Sequence, residues 1–391
     1  MQNFEFYSPT RVIFGEDIIN DLGSVSRNYG TKALLVYGLN SIKKSGLHKR
    51  VLSSLVGAGL SVDEFSGVKP NPELSHARMG AAKAVDSGAE MIIAVGGGSV
   101  IDEAKAIAAG ACYSGNLWDL YDRKAIIERA LPIIAVQTLP ATSSETNQAS
   151  VLTNTDTNEK FGARSPLIAP KVAFLDPSLT YTLPLKYTAY ANFDIMSHML
   201  EGYFTSTDSF APVQDGFVEG MVRAVMRSHE MVQKDARSKD GRAALMWAGA
   251  LAWNGLTNAG VKGATIPNHM LEHPLSAIYE VAHGAGLAAI FPSWLKYKRN
   301  SIAPRILLFG EKIMEIGDEI AELDESKACD LIIDRFTKWI KSTGCPVNLR
   351  EAGIENPDIP ELVKQARTLC GMWGIDGYSD EDLTEIYRLA L

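Results

Sequence analysis

Met91-Ile92-Ile93-Ala94-Val95 carries no polar side chain and runs straight into Gly96-Gly97-Gly98-Ser99. Five apolar residues that end on glycines are too few for a helix. They read as a strand covered on both faces, the habit of parallel sheets flanked by helices. The neighbouring sequence alternates in the same way. Residues 32–38, 60–65, 132–138 and 172–177 are further strand candidates, and helix-like stretches lie over about 46–57 and 73–87. Strands alternating with helices predict an open parallel sheet with helices on both faces.

After about residue 183 the texture changes. Runs of β-branched residues give way to Ala, Leu, Met, Glu and Lys at helical spacing, over 187–203, 211–232, 240–255 and 303–317. A chain of 391 residues exceeds what one hydrophobic core ordinarily organises. Two domains are therefore expected, an α/β domain over 1–182 and an all-α domain over 183–391, with the change near 180–184.

Bulk properties remove several function classes. No apolar stretch approaches the roughly 18 residues that a membrane helix needs. The start, Met1-Gln2-Asn3-Phe4-Glu5, has no basic region leading into an apolar one, so no secretory signal is expected. The net charge of −8, with no basic block, argues against a nucleic-acid partner. Cys112, Cys329, Cys345 and Cys370 form no CxxC pair and no disulfide framework. A reduced, cytoplasmic setting is expected.

The strand–glycine–helix transition at 95–102 is the first candidate site. Glycines let a ligand approach the backbone closely. Ser99 is expected to cap the helix, and the N–H groups beyond it, together with the helix dipole, make an anion site. The pyrophosphate of a dinucleotide fits such a site. The spacing is not GxGxxG, so the loop does not imply a standard Rossmann site, and the parallel sheet is expected to be only Rossmann-like. A second loop, Thr138-Leu139-Pro140-Ala141-Thr142-Ser143-Ser144, follows another strand and is rich in hydroxyls. Ligands of open α/β sheets bind beyond such strand ends.

The second candidate site is built from histidines. Asp194 and His198 are four residues apart in an expected helix, so both face one side. His269 and His273 repeat that spacing, and His283 follows among small residues, Val281-Ala282-His283-Gly284-Ala285-Gly286. One carboxylate with two or three imidazoles suits a borderline divalent metal such as Fe(II), Zn(II) or Co(II), and not Mg(II) or Ca(II). Such a set leaves a position for a substrate oxygen. Glu272 reads as a group behind the ligands or at the surface. Met196, Met199, Met270, Leu271 and Leu287 make the surroundings apolar, which favours an uncharged substrate. Trp253, Asn147, Gln148 and Val151 are candidate pocket residues.

Taken in order, these motifs resemble the iron-containing (group III) alcohol dehydrogenase family over nearly the whole chain. The carrying residues are Phe14-Gly15, Lys69-Pro70-Asn71-Pro72, Gly96-Gly97-Gly98-Ser99 with Asp102, Leu139-Pro140-Ala141-Thr142, Leu175-Asp176-Pro177, Asp194-xxx-His198, and His269-xxx-His273 with His283-Gly284. Within the family the chain is most similar to NADPH-dependent butanol dehydrogenases and broad-range aldehyde reductases. The resemblance implies a dehydroquinate synthase-like architecture, with a dinucleotide-binding N-terminal domain and an all-helical C-terminal domain. It implies hydride transfer between a nicotinamide dinucleotide and a small alcohol or aldehyde. It assigns Asp194, His198, His269 and His283 as metal ligands, for Fe(II) or Zn(II), and His273 as a non-ligand histidine beside the nicotinamide. A neutral imidazole there can relay a proton. The chain departs from the commonest pattern at Asn268-His269-Met270-Leu271-Glu272 and at Ser143-Ser144-Glu145-Thr146-Asn147, without removing a ligand.

The cofactor is expected to be NADP(H), with NAD as the alternative. NAD-preferring enzymes place a carboxylate after the first strand to hold the ribose 2′-hydroxyl, and Gly38-Leu39-Asn40-Ser41-Ile42-Lys43-Lys44 has none. Candidate cofactor contacts are Gly38, Asn40, Ser41, Lys44, Gly97, Gly98, Ser99, Asp102, Thr138, Leu139, Thr142, Asn147, Lys160 and Leu179. A homodimer acting on a small-molecule alcohol or aldehyde is expected. The competing readings keep the fold and change the reaction or the cofactor: a dehydroquinate synthase-like or glycerol dehydrogenase-like enzyme, or an NAD-preferring 1,3-propanediol or lactaldehyde-type dehydrogenase. The first of these needs a Lys and Arg cluster around the ligands, where this chain is apolar.

Overall fold

The structure, a computed structural model, describes residues 1–391. It contains eight strands: β1 Arg11–Phe14, β2 Lys32–Tyr37, β3 Ser61–Ser66, β4 Met91–Gly96, β5 Ile133–Gln137, β6 Ala149–Asn154, β7 Glu159–Arg164 and β8 Val172–Leu175. Six of them form one parallel sheet in the order β1-β8-β5-β4-β2-β3, and β6 and β7 form an antiparallel hairpin. Every residue of β4, β5 and β8 is buried, which is why those runs carry no charge. Val95 lies opposite Tyr37 on one side and Val136 on the other. Leu35, Ile93, Val95, Ile134, Val136 and Phe174 pack with Val51 and Leu55 of the helix Leu47–Gly57 in one core. From β2 the chain builds outward to β3, and from β4 it builds the other way to β5. The switch therefore falls between β2 and β4, where open α/β sheets hold ligands beyond the strand ends.

Two features escape the apolar pattern. Edge strand β1 has only four residues, none fully buried. The β6–β7 hairpin carries buried polar groups in place of an apolar run. Ser150 bonds the Tyr121 hydroxyl and the Asp102 carbonyl, and Lys160 donates to Asn71. Tertiary partners satisfy these side chains, so the segment does not read as a strand.

The chain divides into two compact units, and the division is not a single cut. One unit comprises residues 7–183 and 235–254; the other comprises 1–6, 184–234 and 255–391. The crossing between residues 183 and 184 falls where the texture of the sequence changes. The segment 235–254, expected with the second domain, belongs with the sheet. Its helix, Lys239–Ala252, turns Met246 and Ala250 onto Leu175 of β8 and Val12 of β1.

The other unit is helical. We label three of its helices, α1 Leu185–Thr205, α2 Pro267–Tyr279 and α3 His283–Lys298. Most of α1 is buried, so it runs through the interior rather than over the surface. Phe193 and Phe204 of α1 meet Phe291 edge-on or tilted, and Phe309 and Phe336 complete the aromatic core. The helix expected over 303–317 stops at Lys312. The chain then turns through Glu315, whose φ of 56° is incompatible with a right-handed helix.

Candidate active site

Three loops leave the carboxyl ends of the adjacent strands β2, β4 and β5. The loop after β4 enters the helix Gly98–Gly110. A Cβ on Gly98 would lie 2.3 Å from the Thr142 hydroxyl, and one on Gly97 would lie 3.1 Å from the Leu139 Cβ. The glycines therefore admit the loop after β5 as well as any ligand. They also correct one expectation. Ser99 does not cap the helix; Gly97 holds the capping position and Ser99 is already in the first turn. Gly98 can begin the helix beneath Thr142 because it has no side chain. The N–H groups of Gly98 and Ser99 thus stand where a helix leaves its donors without intrahelical acceptors. After β2, Ser41 opens a single helical turn, Ser41–Lys44, preceded by Gly38 and Asn40.

Other expected cofactor residues have partners inside the protein. Both carboxylate oxygens of the buried Asp102 are engaged, by the Ser144 hydroxyl at 2.5 Å and the Val151 N–H at 3.1 Å. Asn147 accepts from Lys105 at 2.8 Å and donates its amide to the Thr142 carbonyl at 3.0 Å. Lys105 was not singled out from sequence. It is fully buried, bonds the Asn147 and Ala149 carbonyls, and is pushed down to about 8 by burial. Thr138 donates its N–H to the Gly96 carbonyl at 3.0 Å, tying the two loops together. Leu179 packs against the sheet core. Of the pocket candidates, Trp253 donates its N–H to Ser143, and Gln148 bonds the Tyr7 carbonyl.

In the helical unit the histidines converge on one oxygen. Asp194 Oδ1 lies 3.5 Å from His269 Nε2, 3.7 Å from His283 Nε2 and 3.2 Å from His198 Nδ1, and Asp194, His198 and His269 each offer a ligand atom within 4.8 Å of the others. The i, i+4 spacing on α1 brings Asp194 and His198 to one face. His269 comes from the first turn of α2. His283 is the first residue of α3, reached through a turn at Glu280 with φ 53°. Each imidazole is tethered through Nδ1: His198 to the Asp194 carbonyl at 2.9 Å, His269 to Glu201 at 2.5 Å, and His283 to Glu272. A second hydrogen bond of this kind fixes the tautomer of a metal-ligating histidine and raises its basicity. Met196, Met199, Met270, Leu271 and Leu287 are all fully buried.

The electrostatics fit a cation. Asp194 Oδ1 and His269 Nε2 are buried, face each other and have no hydrogen-bond partner. Burial would raise the Asp194 carboxyl, but the rings of His198, His283 and His269 hold it down at about 2. Burial depresses His198 to about 4. Burial would depress His269 too, but Glu201 and Asp194 reverse the effect and lift it to about 10. The cluster attracts positive charge at its centre, and one carboxylate with three imidazoles is a donor set for a borderline metal. His273 stands beside the cluster, with ring centres 5.7 Å from His283 and 6.5 Å from His269. Trp373 meets it edge-on at 5.0 Å.

Glu201 escaped the sequence reading, although it lies seven residues after Asp194 and so on the same helix face. That spacing was the available signal. Glu272 proves to be wholly buried behind His283 and not a surface group. Trp373 had no signal, since it is brought to His273 from a distant helix.

Residues 9–177 match the family model described as iron-containing alcohol dehydrogenase, and residues 188–391 match the C-terminal domain of the Fe-containing alcohol dehydrogenase family. The chain is 38% identical to NADH-dependent butanol dehydrogenase B of Clostridium acetobutylicum, over 95% of this chain and 94% of that one. It is 34% identical to the NADPH-dependent aldehyde reductase YqhD of Escherichia coli, over 93% of each. The crystal structure of NADH-dependent butanol dehydrogenase A from Thermotoga maritima superposes with a TM-score of 0.95 at 39% identity. That match covers 100% of this chain and 99% of the other.

Proposed function

The chain belongs to the iron-containing alcohol dehydrogenase family, and from that premise we propose that it is an NADPH-preferring enzyme interconverting small, uncharged aldehydes and primary alcohols of the butanal and butanol kind. It is an alcohol dehydrogenase or aldehyde reductase that uses a nicotinamide cofactor and a metal. Asp194, His198, His269 and His283 are our ligand set for one divalent ion, Fe(II) or Zn(II). One observation carries that assignment: His269 Nε2 and His283 Nε2 lie 3.5 and 3.7 Å from the unpartnered Asp194 Oδ1, and His198 offers a ring nitrogen within 4.8 Å of the Asp194 and His269 ligand atoms. When bound, such an ion supplies Lewis-acid polarisation of the substrate oxygen.

The chain's own residues do the rest. Gly98 and Ser99 offer N–H groups to the pyrophosphate. Ser41 donates to, and Lys43 and Lys44 supply charge for, a ribose 2′-phosphate, which no carboxylate in 37–44 repels. The relatives include enzymes named for NADH and for NADPH, so this preference is read from those residues alone. His273 moves the proton at its ring nitrogen. The buried Met and Leu side chains exclude water and charged substrates. The reading includes a homodimer, supported by the open edge of β1 with exposed Phe14 and Trp247. It also includes a cytoplasmic location, supported by four free cysteines. No helix is long and apolar enough to cross a membrane.

The test is metal analysis of the purified protein combined with initial rates on butanal at low NADPH or NADH. Stoichiometric Fe or Zn and faster oxidation of NADPH are expected. Turnover that survives complete removal of metal would sink the ligand assignment, and a preference for NADH would sink the cofactor assignment.

A further inference from the structure

We propose that Glu272 is a positioning residue of the metal site: its carboxylate holds the His283 ring with Nε2 turned toward Asp194, and Gly286 exists to make room for it. This rests on the ligand set proposed above. The three imidazoles are not equally held by packing. The His198 and His269 side chains are 7% and 5% exposed, whereas that of His283 is 21% exposed. His283 is also the first residue of its helix. Its orientation therefore depends most on a hydrogen bond.

Glu272 provides that bond from the interior. It is wholly buried on α2. One carboxylate oxygen accepts from His283 Nδ1 and the other from the Ser276 hydroxyl, one helical turn on. Gly286 lies one turn after His283 on α3. A Cβ there would come within 2.7 Å of Glu272 Oε1 and 2.9 Å of its Cγ, so any larger residue drives the carboxylate off His283. Glu272, His273 and His283 also place ligand atoms within 4.8 Å of one another. That trio is not a second cation site on this reading, because both carboxylate oxygens and His283 Nδ1 are already used by hydrogen bonds. Glu201 differs in kind. It holds His269 and also accepts from the Asn268 and His269 backbone N–H groups, so its removal disturbs the start of α2 as well as the ring.

The experiment measures Zn(II) and Co(II) affinity by chelator competition on the full chain and on Glu272→Gln, Gly286→Ala and His269→Ala. Glu272→Gln keeps the shape and removes the charge; Gly286→Ala keeps the charge and displaces it. Both are expected to weaken binding by about 10- to 100-fold, the usual effect of losing such a partner, and to change the Co(II) visible spectrum. Metal-stripped Glu272→Gln is expected to unfold at or above the temperature of the stripped parent, since a buried charge has been removed. His269→Ala should lose the ion. A parent chain that binds neither ion overturns the ligand set, and the role of Glu272 with it. A parent that binds, with Glu272→Gln within about twofold instead of the 10- to 100-fold loss and an unchanged Co(II) spectrum, overturns the role of Glu272 alone. If Glu272→Gln does not fold, Gly286→Ala decides, and parent-like affinity there overturns the proposal.

Discussion

Glu201 grips His269 twice: one carboxylate oxygen accepts from the ring Nδ1 at 2.5 Å, and the other accepts from the His269 backbone N–H at 3.2 Å. The second oxygen also takes the Asn268 N–H at 2.5 Å. The start of α2 and the rotation of a proposed metal ligand are thus set by one side chain on α1.

Replacing Glu201 with Ala leaves two buried backbone donors and a buried ring nitrogen without an acceptor. Each such group costs about 1–3 kcal/mol. Metal-stripped Glu201→Ala is therefore expected to lose about 3 kcal/mol or more of unfolding free energy, measured by urea titration. Unchanged stability would mean that water or another group replaces the carboxylate.

His273→Ala separates chemistry from metal binding. The ring lies beside the cluster but outside the set that surrounds Asp194 Oδ1. The variant is expected to keep its metal and bind NADPH, while turnover falls by about 100- to 10,000-fold, the range for a general acid–base group. Metal analysis and steady-state rates check this. Metal loss as severe as in His269→Ala would make His273 a ligand, and full activity would remove it from the mechanism.

Much of this molecule is legible because burial writes itself into composition. β4, β5 and β8 are covered on both faces, so their sequences contain almost nothing polar. The spacing of Asp194 and His198 is legible because a helix turns residues four apart to one side. The other residues of the proposed ligand set are harder to read, since a lone histidine has many uses, and only family resemblance separates His269 and His283 from His273. What the sequence hides is polar burial. Lys105 sits among alanines in a helix and reads as a solvated lysine, yet it is buried because the Asn147 and Ala149 carbonyls arrive from more than forty residues away. The β6–β7 hairpin is hidden for the same reason. Ser99 does not cap because the capping preference of serine is local, whereas the helix begins at Gly98, where a Cβ would collide with Thr142.

Leu39→Asp tests the cofactor reading. Leu39 is 59% exposed at the turn after β2, so the change should be tolerated by the fold. A carboxylate there repels a 2′-phosphate and can accept from a 2′-hydroxyl. The ratio of kcat/KM for NADPH to that for NADH is expected to fall by about tenfold or more, equivalent to about 1.4 kcal/mol. An unchanged ratio would place the phosphate elsewhere.

Glu103→Gln tests a buried acid that the proposed reaction does not use. Burial raises the Glu103 carboxyl, and the hydrogen bond with His76 offsets this only in part, leaving it at about 7. Its value in the unfolded chain is near the ordinary 4.5. A carboxyl raised by folding favours the folded state when protonated. That contribution is fully present below about pH 4.5 and is lost as pH rises through about 7. The loss is at most about 3.4 kcal/mol, the value of moving the carboxyl from 4.5 to about 7 at 1.36 kcal/mol per tenfold change in proton affinity. Glutamine cannot ionise and can still bond the His76 ring. The unfolding free energy of Glu103→Gln minus that of the parent should therefore rise by about 2.5 kcal/mol between pH 5 and pH 8, measured by urea titration at each pH on metal-stripped protein. A difference that stays flat over that range would show that Glu103 ionises in the folded state as it does in the unfolded chain. A difference that falls would mean that the His76 ring stabilises the carboxylate more than burial opposes it.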